Sequence, residues 1–155
     1  MKIGIFGGGF KPFHTGHFGK VALALEENDK VYLFYGIESE KPKNPKRRTM
    51  GTSEREYTPK MSKKIFNITK DALQKKYSGR IEVIESSAPV GSVIDKIGEY
   101  KGPGADSVER IKVYGRLDDL QKYYLNLYTR ENKHGENLGK KYFGELRERG
   151  ILTFG

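Results

Sequence analysis

Apolar residues along the chain come in short blocks separated by polar stretches. Lys2–Phe6, Val31–Tyr35, Ile81–Ile84 and Ile111–Tyr114 are runs rich in Ile, Val, Tyr and Phe. Continuous apolar runs of about four to eight residues, bounded by glycine or polar turns, predict buried strands. Between them the period changes. Phe18, Val21, Ala22 and Leu25 recur at helical spacing and predict a helix from about Gly16 to Asn28. Met61, Ile65, Ile68 and Leu73 predict a second one that runs to about Tyr77. Thr58-Pro59 starts it, with Thr as the cap and Pro at the first helical position. Further helices are predicted around Val93–Tyr100, Asp118–Tyr128 and Leu138–Arg149, and a short last strand at Ile151–Phe154. Glu38–Tyr57 is polar, basic and aperiodic and reads as a long loop. Lys101–Ala105 reads as a Gly/Pro turn and Thr129–Asn137 as a loop.

Strands that alternate with helices predict an α/β fold: a Rossmann-like, doubly wound, mainly parallel sheet of about five strands with helices on both faces. No internal repeat and no linker divides the chain, so a single domain over residues 1–155 is expected. In such sheets ligands sit outside the carboxyl ends of the strands. That directs attention to the loops Gly7–Thr15, Glu38–Tyr57 and Gly115–Asp119.

Composition narrows the classes. With no cysteine among its 155 residues the chain has no disulfide scaffold, thiol nucleophile or Cys-ligated metal site. It carries no apolar run long enough to span a bilayer, and its glycine-rich start does not read as a signal peptide, so a cytoplasmic protein without membrane partners is expected. Lys and Arg number 29 against 20 Asp and Glu, a net charge of +9. That excess attracts anions without saying which kind.

The loop after the first strand says more. Gly7-Gly8-Gly9 lets the backbone turn tightly and approach a ligand closely. The helix that follows directs its unpaired N–H groups and positive dipole end at the same place, which makes an anion site. Two of the three histidines, His14 and His17, stand there three residues apart, and such a pair at a helix start faces one side. Imidazole, neutral or protonated, donates to phosphate oxygens, and imidazolium adds charge where it develops in phosphoryl or nucleotidyl transfer. Neither the dinucleotide fingerprint nor the P-loop fits: Pro12 takes the position of the last glycine of the first, and Gly19-Lys20 is followed by Val21 rather than Ser or Thr.

Gly8-Gly9-Phe10-Lys11-Pro12-Phe13-His14-Thr15-Gly16-His17 resembles the signature of the cytidylyltransferase-like nucleotidyltransferase superfamily. The stretch Phe10-Lys11-Pro12-Phe13-His14 is closer to its nicotinamide mononucleotide adenylyltransferase-like branch, and to related phage-type enzymes, than to the cytidylyltransferases. The resemblance implies transfer of a nucleoside monophosphate from ATP (or CTP) to a phosphorylated small molecule, with release of pyrophosphate. It implies that His14 and His17 hold the triphosphate and stabilise the transition state, and that the Gly8, Gly9 and Phe10 backbone, with Thr15 and Gly16, cradles the nucleotide. Lys11 stands where many relatives have an acidic or amide residue, and is expected as a catalytic residue that touches the substrate phosphate. Mg²⁺ would arrive with the triphosphate, held by its oxygens and water rather than by a dedicated protein site.

Other loops at the same edge carry candidates. Lys41, Lys43, Lys46, Arg47 and Arg48 lie within eight residues of the second loop. A solvated charge run is the bland reading. By the resemblance, Lys46, Arg47 and Arg48 would bind substrate phosphate. Gly115, Arg116 and Asp118 follow the fourth strand, where the family contacts ribose or base, although Asp118 also reads as a helix cap. Ser86 and Ser87 read as a turn that could also meet the acceptor. The superfamily's second signature, Ile-Ser-Ser/Gly-Thr-x-x-Arg, has no copy in this sequence. The expectation is a truncated or diverged form, or contacts supplied by another segment. Two alternatives stay beside the transferase: a nucleotide-binding regulatory domain with weakened catalysis, and a basic nucleic-acid-binding module. The module is disfavoured because basic and aromatic residues do not interleave in a stripe. The sequence leaves the oligomeric state open, a homo-oligomer included.

Overall fold

The apolar runs pair into one sheet of five strands, all parallel, in the order β3-β2-β1-β4-β5. In this computed structural model the described residues are 1–10, 13–37, 58–101, 108–115, 146, 148 and 150–154. The strands are β1 (Lys2–Gly8), β2 (Lys30–Gly36), β3 (Ile81–Ser86), β4 (Arg110–Tyr114) and β5 (Leu152–Phe154). Among the described residues the helices are α1 (Thr15–Glu27), α2 (Pro59–Lys76) and α3 (Pro89–Gly98), the last followed by a 3₁₀ turn over Glu99–Lys101. The expected α/β, Rossmann-like parallel sheet is therefore present. The helix expected at Asp118–Tyr128 and the loops at Glu38–Tyr57 and Thr129–Asn137 lie outside the described residues, and the helix expected at Leu138–Arg149 is described only at Leu146 and Glu148, both helical. No helix among the described residues is long and apolar enough to cross a membrane.

The strands read as continuous apolar runs because their successive side chains enter two different cores. Phe6, Val31, Leu33, Tyr35, Ile81 and Val83 join one cluster, together with Val21 and Leu25 of α1 and Phe66 and Leu73 of α2. Ile3, Ile5, Phe34, Ile111 and Val113 join the other, with Val93 and Ile97 of α3. Adjacent strand residues point to opposite sides of a sheet, so a strand packed on both cannot alternate apolar with polar.

Two helices bury only part of the face that the spacing predicts: Val21, Leu25 and Leu73 are buried as expected, other positions are not. In α2 the buried positions are Ser62, Phe66, Thr69 and Leu73, while Met61 and Ile68 are 44% and 59% exposed. Phe66 decides the rotation: its ring packs edge-on against Tyr35 at 5.3 Å, and a buried aromatic outweighs the smaller aliphatic side chains. In α1, Ala24 replaces Ala22 on the buried face, beside Val21 and Leu25. Helix α3 starts at Pro89, four residues before the expected Val93, with proline at the first turn just as in α2.

The end of α1 is fixed by a buried asparagine. Asn28 leaves the helix at φ −133°, ψ 157°. Its Nδ2 donates to Ala24 O and to Tyr114 Oη, both at 2.8 Å. Arg80 donates to the carbonyls of Leu25 and Asn28, and Arg110 to that of Glu27. Guanidinium groups on carbonyls that lack intrahelical partners suit the negative end of the helix dipole. This network anchors the far end of α1 and so sets the direction from which its first turn meets the sheet.

Candidate functional site

Strand β1 lies in the middle of the sheet, with β2 on one side and β4 on the other. The chain reaches β2 through α1 and β4 by way of α3, so the crevice between the carboxyl ends of β1 and β4 is the topological switch point. Phe6 stands opposite Tyr114 there. The residues that follow β1 lead directly into α1, which puts the first turn of that helix at the edge where open parallel sheets bind ligands.

The two histidines cap that turn. His14 is the cap residue, extended at φ −132°, ψ −179°, and its Nδ1 accepts the Gly16 N–H at 3.1 Å. His17 answers from the first turn: its Nδ1 accepts the His14 N–H, also at 3.1 Å. The rings lie 3.7 Å apart between centroids, tilted by only 24°. A backbone N–H is always a donor, so both Nδ1 atoms are unprotonated. Each neutral ring then carries its proton on Nε2 and has one N–H to offer. Gly16 makes this arrangement possible. A Cβ at that position would stand 2.9 Å from the His14 ring, so an alanine there pushes the imidazole off its cap.

His17 rests on an aromatic bed. Its ring meets Phe10 at 4.6 Å and Phe13 at 5.1 Å, and both phenylalanines pack against Tyr35. Burial among these rings, then the neighbouring His14, then the Lys20 ammonium push its pKa from 6.5 down to about 4. Imidazolium at position 17 is therefore not the resting form. The sign of the consequence is definite. Between pH 6.5 and about 4 the unfolded chain takes up a proton at His17 that the folded chain refuses, so stability falls as pH drops through that window. The unfolding midpoint of the protein is expected to fall more steeply there than that of a His17→Gln variant, and parallel profiles would contradict it.

The glycines at the end of β1 serve closeness rather than a tight turn. Among the described residues only Gly79 and Gly150 have positive φ, so Gly7, Gly8 and Gly9 need no left-handed backbone. Gly9 is exposed, and a Cβ on it would meet nothing within 4 Å. Gly9 is thus open backbone, while Gly7 and Gly8 are half-buried against Val93 and Phe10. Phe10 is core: the whole residue is only 4% exposed, so its ring packs inward and does not line the loop. Thr15 is exposed at the first position of α1, where a backbone N–H has no partner within the helix. Gly115 directly follows β4, and its carbonyl accepts from Lys20 Nζ at 3.2 Å.

The structure thus brings together His14, His17, Thr15, Gly16 and the Gly8–Phe10 backbone, with Gly115 across the crevice. Lys11, Lys46, Arg47, Arg48, Arg116 and Asp118 lie outside the described residues. Ser86 closes β3 and forms the turn its sequence suggested: its Oγ lies 2.7 Å from Ser92 Oγ and accepts from Ala88 N. Sequence reasoning missed Lys20, whose signal was its position three residues beyond His17 on the same helix. Among the described residues no three or more His, Cys, Asp or Glu gather as a metal site. Comparison with known proteins gives no matching family model and no matching curated protein.

Proposed function

We propose that this protein is a nucleotidyltransferase that moves a nucleoside monophosphate from ATP or CTP onto a phosphorylated small molecule, nicotinamide mononucleotide being the first candidate. The observation that carries the reading is the reciprocal capping of His14 and His17. It spends both Nδ1 atoms on backbone N–H groups and leaves two Nε2–H donors at a helix start beside the switch point. In the reaction an oxygen of the acceptor phosphate attacks the α-phosphorus of the triphosphate and forms a new P–O bond. The bond from the α-phosphorus to the bridging oxygen breaks, and pyrophosphate leaves with the electron pair. Negative charge grows on the leaving group, and preorganised neutral donors stabilise it without having to lose a proton. The low proton affinity of His17 suits it to that task.

Mg²⁺ supplies charge neutralisation on the triphosphate when bound. It demands oxygen ligands, and the described site residues offer ring nitrogens, N–H groups and carbonyls. The phosphates and water would therefore supply most of its shell. By the same reading Lys11 and the basic run Lys46, Arg47 and Arg48 take the acceptor phosphate, and Gly115, Arg116 and Asp118 the nucleoside.

The test is pyrophosphate release, with ATP and with CTP, across a panel of phosphorylated acceptors that includes nicotinamide mononucleotide. One triphosphate and one acceptor class are expected to give turnover. Triphosphate binding without release from any pair would favour a regulatory nucleotide-binding domain. Oligonucleotide binding that ATP does not displace would favour the nucleic-acid reading.

A further inference from the structure

Lys20 lies on α1 three residues beyond His17, beside the candidate site. Lys63, Lys96 and Lys112 each pair with a carboxylate, of Glu85, Glu99 and Glu27 respectively. Lys20 forms no salt bridge among the described residues, although its side chain is held in place. It is partly buried, and Nζ donates to Gly115 O at 3.2 Å, linking α1 to the end of β4. A lysine ammonium has three N–H donors, and Gly115 takes one. Positions three apart on a helix are neighbours, so Lys20 follows His17 as His17 follows His14, each step rising about 4.5 Å along the axis. His17 feels the ammonium, whose charge opposes its protonation. The crevice thus contains a fixed cation beside two further nitrogen donors, with no carboxylate among the described residues paired to it.

We propose that Lys20 is a third phosphate-binding residue of this site, extending the row His14–His17 along α1 toward β4 so that it grips a polyphosphate chain rather than a single phosphate. The inference rests on the nucleotidyltransferase reading for its ligand but can fail separately from it. Inorganic tripolyphosphate and ATP are titrated calorimetrically into the protein and into Lys20→Met, Lys20→Arg and His17→Ala, with unfolding midpoints measured in parallel. Loss of one charge-assisted contact is expected to weaken both ligands about tenfold in Lys20→Met. Lys20→Arg keeps the charge and is expected to stay within about threefold of the parent. If Lys20→Met lowers the unfolding midpoint but binds both ligands as the parent does, Lys20 is only a tie between α1 and β4 and the proposal falls. Should Lys20→Met fail to fold, Lys20→Gln is read in the same way. If Lys20→Met weakens tripolyphosphate while no acceptor yields pyrophosphate, the phosphate row stands and the transferase reading falls. If the parent protein binds neither ligand, both fall.

Discussion

His17→Ala is expected to lower pyrophosphate release by about 10²–10³-fold, the usual cost of deleting one preorganised donor to a developing anion. The change removes the Nε2–H donor. It also removes the Nδ1 that accepts the His14 N–H, and with it half of the reciprocal cap. His14 then loses the ring it stacks against at 3.7 Å. The fold should survive, because the surrounding rings of Phe10, Phe13 and Tyr35 remain packed on one another. Initial rates with the preferred triphosphate and acceptor, alongside a far-ultraviolet spectrum, check both halves. His14→Ala should fall to a similar level, and the double variant little further, since residues that act as a unit are not additive. Activity in His17→Ala within about threefold of the parent would remove the pair from the chemistry.

The largest loss of stability is expected at Gly36. This residue ends β2, and a Cβ built on it would lie 2.7 Å from Pro89 Cγ, 3.1 Å from Gly8 O and 3.1 Å from Gly9 Cα. None of these is the tip of a flexible side chain. Gly36→Ala must therefore force apart the start of α3 and the glycine strip that leads to His14. Overpacking of this kind costs about 1–3 kcal/mol, which for a chain of this size lowers the unfolding midpoint by roughly 2–4 °C per kcal/mol. Because the displaced backbone belongs to the proposed nucleotide cradle, triphosphate affinity should drop with stability. Gly9→Ala is the control: its Cβ has open space, and its stability should match the parent. Denaturant midpoints at unchanged slope measure the difference, and a Gly36→Ala protein as stable as the parent would contradict the packing described.

Much of this architecture was legible because it is local. Buried strands of a parallel sheet announce themselves as unbroken apolar runs, and Thr58-Pro59 marked the start of α2 to the residue. What the sequence obscured depended on partners distant in the chain. The inward face of α2 is set by Phe66 meeting Tyr35, so of the positions counted by spacing Leu73 is buried and Ile65 half-buried, while Met61 and Ile68 face outward. The start of α3 was placed late because Ala88 has no capping side chain, leaving Pro89 as the only marker. At the candidate site the His14–His17 spacing was visible, but the use of both Nδ1 atoms as caps was not, since it depends on ring rotation and on Gly16 leaving space. Lys20 looked like one lysine among many. Only the approach of β4 to α1, brought about by a crossover far along the chain, puts Gly115 O within its reach. The net charge of +9 gains a partial explanation from this: at least one fixed cation stands at the sheet edge where the histidines gather.

His14 and His17, as we propose, hold a triphosphate through Nε2 while Nδ1 stays on the backbone. The most direct measurement is the NMR spectrum of the imidazole nitrogens, recorded with and without saturating ATP or CTP. Unprotonated Nδ1 atoms are expected on both rings of the free protein, with a selective shift of both Nε2–H signals when triphosphate binds. A proton on Nδ1 of either ring in the free protein, or ring signals that triphosphate leaves unmoved, would contradict it.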